Sequence, residues 1–356
     1  MSTVQHTPLD TLWYTRCPVP TGLGIALQKG WLEDAFRSQG TAVQSLRESN
    51  ERAVRESHFD HTLQNSVRHG GNIPALWARA AGRETRVLGL SWLDETQRIL
   101  TLPGSGIKTV RDLKGRRFGL PKWVNAQIDF ARAQALRGLE NALRLDGLEV
   151  ADVELIDHVI DAGQSDAPAE RAAATNTFGN PRNGGGGNSA ELVSLLRGEV
   201  DAIFLKGASA AHSASQFGLI TVIDTGAHPD PLVRANNGTP RTLTVDAHLL
   251  DHHFDAAVTL LEQVLRAESW AHTNPNDTRR YLARESNSSE YWVNVAYGED
   301  AHLGLRTDLA ESSIVGLQDF SDFLHRWQFL PHAVDVRGWI DGRPLQAAQE
   351  AFLHSA

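Results

Sequence analysis

Short apolar runs separated by longer amphipathic stretches recur along this 356-residue chain, and that alternation restricts it to sheets covered by helices, an α/β fold. Residues 85–90, 97–102 and 117–120 each read as a strand, and 200–205 and 219–223 as buried strands. Between them, 109–115 reads as a short helix stopped by glycine, 126–145 carries apolar residues at helical spacing, and 189–197 reads as a helix opened by a Ser cap. From His253 onward the pattern is mostly helical, with His248, His252 and His253 at a solvated helix start. No internal repeat is evident.

The length exceeds one average domain, and 41% hydrophobic residues suffice for two cores that share a cleft. A formal net charge of -9 without a basic tail argues against a nucleic-acid partner, because neutralising phosphates needs concentrated Lys and Arg. The first ten residues have neither a basic region nor an apolar run, so no secretory signal is expected. No segment reaches the roughly 18 unbroken apolar residues of a membrane span. A cytoplasmic protein without a membrane partner is the expectation.

Cys17 is the only cysteine, which excludes an intrachain disulfide. It lies in Tyr14-Thr15-Arg16-Cys17-Pro18-Val19-Pro20, beside a cation and fenced by two prolines. The thiolate is the reactive form and a neighbouring cation favours it, so a placed nucleophile competes with a small buried hydrophobe. Two further runs stand out: His58-Phe59-Asp60-His61, and Arg68-His69-Gly70-Gly71-Asn72-Ile73-Pro74. Their plain readings are a surface-loop histidine, a solvated arginine and glycines serving a turn of positive φ.

The stretch 103–119 resembles the passage from first to second lobe in two-lobed periplasmic solute-binding proteins of type 2. That resemblance implies an interlobe active-site or ligand cleft, with 201–204 as the last strand of lobe two and 220–223 as the return. The expected division is lobe one at 1–115 and 224–356, and lobe two at 116–223.

The three runs around Cys17, His58 and Arg68 resemble, in order, the pattern Cys-Pro-Val-Pro, His-Phe and Arg-x-Gly-Gly-x-Ile-Pro of the aryl-sulfinate desulfinases of dibenzothiophene desulfurisation. The resemblance implies a cytoplasmic hydrolase of carbon–sulfur bonds on the solute-binding fold. It would release sulfite from 2'-hydroxybiphenyl-2-sulfinate or a related sulfinate, as a monomer and without metal or other cofactor. By position it gives Cys17 the role of nucleophile, His58 that of catalytic histidine, Arg68 that of sulfinate ligand and Gly71 that of an assisting backbone N–H, with Gly70 beside it. The chemistry agrees: a guanidinium fork and the N–H groups of a Gly-Gly turn suit a two-oxygen anion. A thiol poised by imidazole can then attack sulfur or protonate the ring carbon bearing it, and both routes stay open.

Departures from the pattern concern substrate: Arg16 stands for Asn, His69 for Phe and Asn72 for Glu, while 205–209 replaces a tryptophan-rich stretch and adds Lys206. Trp92 and Trp123 are the expected walls of an aryl pocket. The run 183–188, Asn-Gly-Gly-Gly-Gly-Asn, lacks the Lys-Ser or Lys-Thr of a phosphate loop and reads as a flexible loop. His58, Asp60, His61 and His69 lack the spacing of a zinc site. A binding protein for a sulfonate or similar anion, without catalysis, is the alternative. A pyrimidine-precursor synthase on the same fold is disfavoured by the missing cysteine-rich motif.

Overall fold

The computed structural model describes residues 8–161 and 189–355. Its strands are β1 (Thr11–Arg16), β2 (Ala42–Ser45), β3 (Ser66–Gly70), β4 (Thr85–Ser91), β5 (Gln97–Thr101), β6 (Arg117–Val124), β7 (Glu154–Asp161), β8 (Ala202–Lys206), β9 (Ile220–Asp224), β10 (Arg241–Asp246) and β11 (Thr307–Asp308). Two compact units result. Unit one is Met1–Leu93, Gly238–Ser286 and Asp300–Ala356, and unit two is Asp94–Asn237 and Asn287–Glu299.

Unit one is built on a six-stranded sheet of order β11-β4-β10-β3-β1-β2. β1 runs parallel to β2 and β3, whereas β10 lies antiparallel between β3 and β4. A strand with neighbours on both sides and cover on both faces has no solvent-facing residues, and all six residues of β10 are buried. Leu12, Val67, Leu88, Leu243 and Val245 from the sheet pack with Leu23, Leu27, Phe36, Leu260 and Val264 in one core.

The crossings between the parallel strands are helical: α1 (Gly22–Gln28), α2 (Trp31–Arg37) and α3 (Arg52–Asp60), with α4 (Asn72–Ala80) following β3 directly. The Thr21 side chain accepts from Gly24 N and so starts α1 immediately after the Cys-Pro-Val-Pro turn. Helix Phe254–Thr273 is tied to β11 by Glu268, whose carboxylate accepts from Thr307 Oγ1 at 2.6 Å and Thr307 N at 2.9 Å. Burial pushes the Glu268 carboxyl up to about 7.

Unit two holds a five-stranded sheet of order β7-β6-β8-β5-β9, with β6 parallel to β7 and β8 and β5 antiparallel to β8 and β9. Leu100, Leu192, Leu195, Val200 and Ile203 form its core. Because β5 pairs with β8 and β9, residues 97–101 already belong to unit two. The chain crosses at Leu93/Asp94 and returns at Asn237/Gly238, rather than at the expected 115/116 and 223/224.

Other elements differ in detail from the sequence reading. β9, expected to be buried, is an edge strand with Ile220 46% exposed. The stretch 109–115 forms a single 3-10 turn, Val110–Leu113, within a Thr109/Asp112 capping box, and Gly115 ends it at φ 72. The helix expected from 126 begins at Phe130, where Asp129 caps it, and Ser189 precedes helix Ala190–Leu196 without a side-chain cap bond. The run 183–188 lies outside the described residues. No helix among them is long and apolar enough to cross a membrane.

Candidate active site

β1 ends at Arg16, and the chain leaves the sheet at Cys17 while its N–H still donates to His69 O on β3 at 3.1 Å. A 2.8 Å bond from Val19 N to Cys17 O tightens the turn. Cys17 Sγ is thereby held over the end of β3, 3.4 Å from Arg68 Nη2 and 4.0 Å from His58 Nε2. Gly70 makes room for it: a Cβ there would lie 2.4 Å from Sγ. Gly70 is the last residue of β3 and Gly71 is the N-cap of α4 with φ -55, so neither glycine serves a turn of positive φ.

His58 lies in the last turn of α3, 3% exposed, with its ring edge-on to Phe59. Its Nδ1 shares a 2.9 Å hydrogen bond with Thr15 Oγ1, which leaves Nε2 turned to the sulfur. Burial, reinforced by the charges of Arg68 and Arg47, holds its pKa well below the ordinary imidazole value, so the ring is neutral. In the tautomer whose Nδ1–H donates to Thr15, Nε2 is a proton acceptor facing the thiol.

Arg68, in the parallel register opposite Thr15, is 1% exposed. Its Nε donates to His58 O at 3.2 Å and its Nη2 reaches Cys17 Sγ, while Nη1 has no partner among the described residues. No carboxylate pairs with it there, so a buried guanidinium stands beside a thiol with one nitrogen unused. An ion held in this way is stabilised by an incoming anion.

Arg16, expected to act on the thiol as its sequence neighbour, forms an ion pair with Glu285. Strand alternation turns it to the sheet face opposite Thr15, and the cation that reaches sulfur comes from β3. Thr15 and Arg47 carried no sequence signal of their own. Arg47 Nη2 donates to Arg16 O at 3.3 Å, adjoining the Cys17 peptide. His61, at φ 51, is buried with Nε2 at 3.3 Å from Ser66 O. Asp60 caps Thr62 N and His69 bonds Ser91 Oγ, so the four residues weighed as a zinc set serve separate contacts. No group of three or more His, Cys, Asp or Glu among the described residues is placed to hold a metal.

Trp92 follows β4 in unit one, and Trp123 lies on β6 of unit two, edge-on to Phe130 at 4.9 Å. Both are half-buried. Lys206, the charge added in 205–209, is paired with Glu95 and donates to Asn237 O at 2.6 Å. His248 bonds Asn65 Oδ1 at 3.1 Å and His252 is exposed.

A profile described as NMT1/THI5 like matches residues 18–177. The 2'-hydroxybiphenyl-2-sulfinate desulfinase of Rhodococcus erythropolis is 26% identical over 351 residues, covering 93% of this chain and 91% of its own. In structure, a mutant of the desulfurisation enzyme DszB in complex with biphenyl-2-sulfinic acid matches with a TM-score of 0.74 at 25% identity, over 96% of this chain and 99% of that one. The periplasmic aliphatic sulphonate binding protein SsuA from Escherichia coli matches with a TM-score of 0.63 at 17% identity, over 93% of this chain and 92% of its own. In sequence over nearly its whole length, and in fold, the chain is thus similar to an aryl-sulfinate desulfinase on the α/β architecture of the type 2 periplasmic-binding proteins.

Proposed function

We propose that this protein is a desulfinase, a hydrolase that cleaves the carbon–sulfur bond of an aryl sulfinate and releases sulfite, with Cys17, His58 and Arg68 as its catalytic residues. The observation that carries the reading is the buried Arg68 guanidinium, which touches Cys17 Sγ and keeps Nη1 unused among the described residues. A sulfinate oxygen on Nη1 would bring the substrate sulfur and its ring carbon to the thiol. Gly71, at the N-terminus of nine-residue α4, offers its N–H to the same anion. A cytoplasmic or other reducing compartment suits an enzyme that needs this thiol free.

Of the two routes, proton donation fits the geometry better. The cation on Sγ stabilises thiolate, which is the product of donation but the starting state of attack on sulfur. Only an interaction that strengthens toward the transition state accelerates the step. The Cys17 proton goes to the ring carbon bearing sulfur, the carbon–sulfur pair returns to the ring, and SO2 leaves. Water converts SO2 to bisulfite and supplies the proton that restores the thiol, with neutral His58 Nε2 able to hold it in passage. The sum is sulfinate plus water giving arene plus bisulfite.

Purified protein is expected to release sulfite from benzenesulfinate or biphenyl-2-sulfinate without added cofactor. Cys17→Ser should slow turnover by about a thousandfold or more while substrate still binds, because a hydroxyl is a much weaker acid and nucleophile. No thiosulfonate adduct on Cys17 should appear by mass spectrometry during turnover. Saturable sulfinate or sulfonate binding with no sulfite from these or from ring-substituted aryl sulfinates would assign the chain to anion binding instead.

A further inference from the structure

We propose that Arg241 and His69 form a second oxyanion subsite in unit one, so that the sulfinate taken by this enzyme carries a further two-oxygen anionic group such as a carboxylate. The substrate assignment rests on the desulfinase reading; the subsite rests on geometry. Arg241 opens β10 and is fully buried. Its Nη1 donates to Leu93 O at 3.1 Å, while Nε and Nη2 have no partner, and no carboxylate pairs with it, among the described residues. Nε–H and Nη2–H lie along one edge of the planar guanidinium, the edge that grips a carboxylate through two parallel bonds. What is left over is therefore a complete fork rather than two scattered donors. Burying an ion in that state is unfavourable unless something with two acceptor oxygens meets it.

His69 stands beside this fork. It is 0% exposed, with Nε2 3.3 Å from Ser91 Oγ and Nδ1 without a partner among the described residues. Arg241 is directly opposite Ser91 in the ladder, so the alternation of side chains puts Arg241, Ser91 and His69 on one face of the sheet. Burial together with Arg241 and Arg68 pushes His69 down to about 3, so the ring is neutral. If the Ser91 hydroxyl donates to Nε2, the proton sits on Nδ1 and adds a third donor. Asn72 Nδ2 donates to Pro240 O at 2.9 Å, joining the start of α4 to the residue before Arg241. Two departures from the desulfinase pattern, His69 and Asn72, thus bond residues next to Arg241 in the chain or in the ladder.

The subsite adjoins the thiol. Cys17 N bonds His69 O, and Thr242, next to Arg241, pairs with Gly70, the seat of the sulfur. Arg68, in the middle of β3, and Arg241, at the start of β10, leave opposite faces of the sheet, and the proposed ligand spans them with its two acidic groups.

The test measures kcat/KM, by arene and sulfite release, for benzenesulfinate and its 2-, 3- and 4-carboxy derivatives. Calorimetry with benzoate accompanies it, in the parent and in Arg241→Gln. At least one carboxylated isomer should exceed benzenesulfinate by about tenfold or more, and that ratio should collapse in Arg241→Gln. Should the variant not fold, the isomer ratios of the parent decide. Equal rates for all isomers in the parent, or a preference that survives in Arg241→Gln, overturns the proposal. Benzoate binding that depends on Arg241, with no gain for any linked isomer, gives the fork to a free anion and overturns the substrate assignment. Preferential binding of a carboxylated isomer with no sulfite from any compound overturns the desulfinase reading and leaves the subsite standing.

Discussion

A methyl group on residue 70 and the sulfur of residue 17 cannot coexist, since the built Cβ falls 2.4 Å from Sγ and 2.6 Å from the Cys17 Cβ. Neither neighbour can retreat easily, because Cys17 N is bonded to His69 O and the turn is closed by Val19. Gly70→Ala is therefore expected to displace Sγ from Arg68 and His58 and to lower kcat by about a hundredfold or more, since a misplacement of about 1 Å is enough for that. A circular dichroism melt alongside the sulfite assay checks it: full activity in a folded Gly70→Ala protein would show that Sγ need not sit there. The same spot shows why sequence adjacency misleads inside a strand. Arg16 is next to Cys17 in the chain, yet alternation sends it to Glu285, and the cation at the sulfur comes from a residue 51 positions away.

At the scale of elements, much of the architecture was legible, because strands and helices announce themselves through local periodicity and caps. The strands at 85–90, 97–102 and 117–120 are of that kind, and the structure adds α1 with its Thr21 cap. Pairing partners are not local, so nothing in residues 97–101 showed that β5 pairs with β8 and β9 and thus moves the boundary of unit two to Asp94. The runs holding Cys17, His58 and Arg68 stood out by residue type and order, whereas Thr15 and Arg47 are ordinary residues until the fold gives them neighbours. One junction between elements is open to direct test. A Cβ on Gly22 would lie 2.7 Å from Glu268 Oε1 and 2.8 Å from its Cγ, and Thr307 fixes that carboxylate through two hydrogen bonds. Gly22→Ala should then destabilise the protein by roughly 1–3 kcal/mol, against the usual gain of alanine in a helix. The shift in urea midpoint measures this, and an unchanged or higher midpoint would contradict the packing described.

For the molecule as a whole, buried ionisable groups set the response to acid. The imidazole pKa is pushed to about 4 for His61, to about 3 for His69, and well below 6.5 for His58. The unfolded chain protonates all three near pH 6.5, so between there and about pH 4 it binds more protons than the folded chain, and stability falls on acidification. Glu268 acts in the opposite sense: raised to about 7 from 4.5, it holds a proton in the folded state that the unfolded chain has released across that window. Glu33, Asp246 and Glu262, also raised by burial, act in the same sense as Glu268 and partly offset the decline that the three rings cause. Urea midpoints at several pH values should show this decline, and Glu268→Gln should steepen it; stability that is flat or rising over the same range would contradict the burial assigned to these rings.

The unpaired burial of Arg68 has a thermal consequence. With no carboxylate beside it among the described residues, this guanidinium costs the native state stability, even though its Nε ties β3 to α3 through His58 O. An uncharged side chain of similar length should sit there more comfortably. Arg68→Met is accordingly expected to melt a few degrees higher than the parent while releasing no sulfite, since replacing a buried ion by apolar volume is often neutral or stabilising. Arg68→Lys, which keeps the charge and loses the fork, should gain no such tolerance to heat and still lose activity. Scanning calorimetry on the three proteins separates these outcomes, and a marked drop in melting temperature for Arg68→Met would recast residue 68 as a structural anchor. Selection for heat resistance alone would erode this site first, and a hotter-melting relative that has lost Arg68 would have given up the anion ligand together with the chemistry.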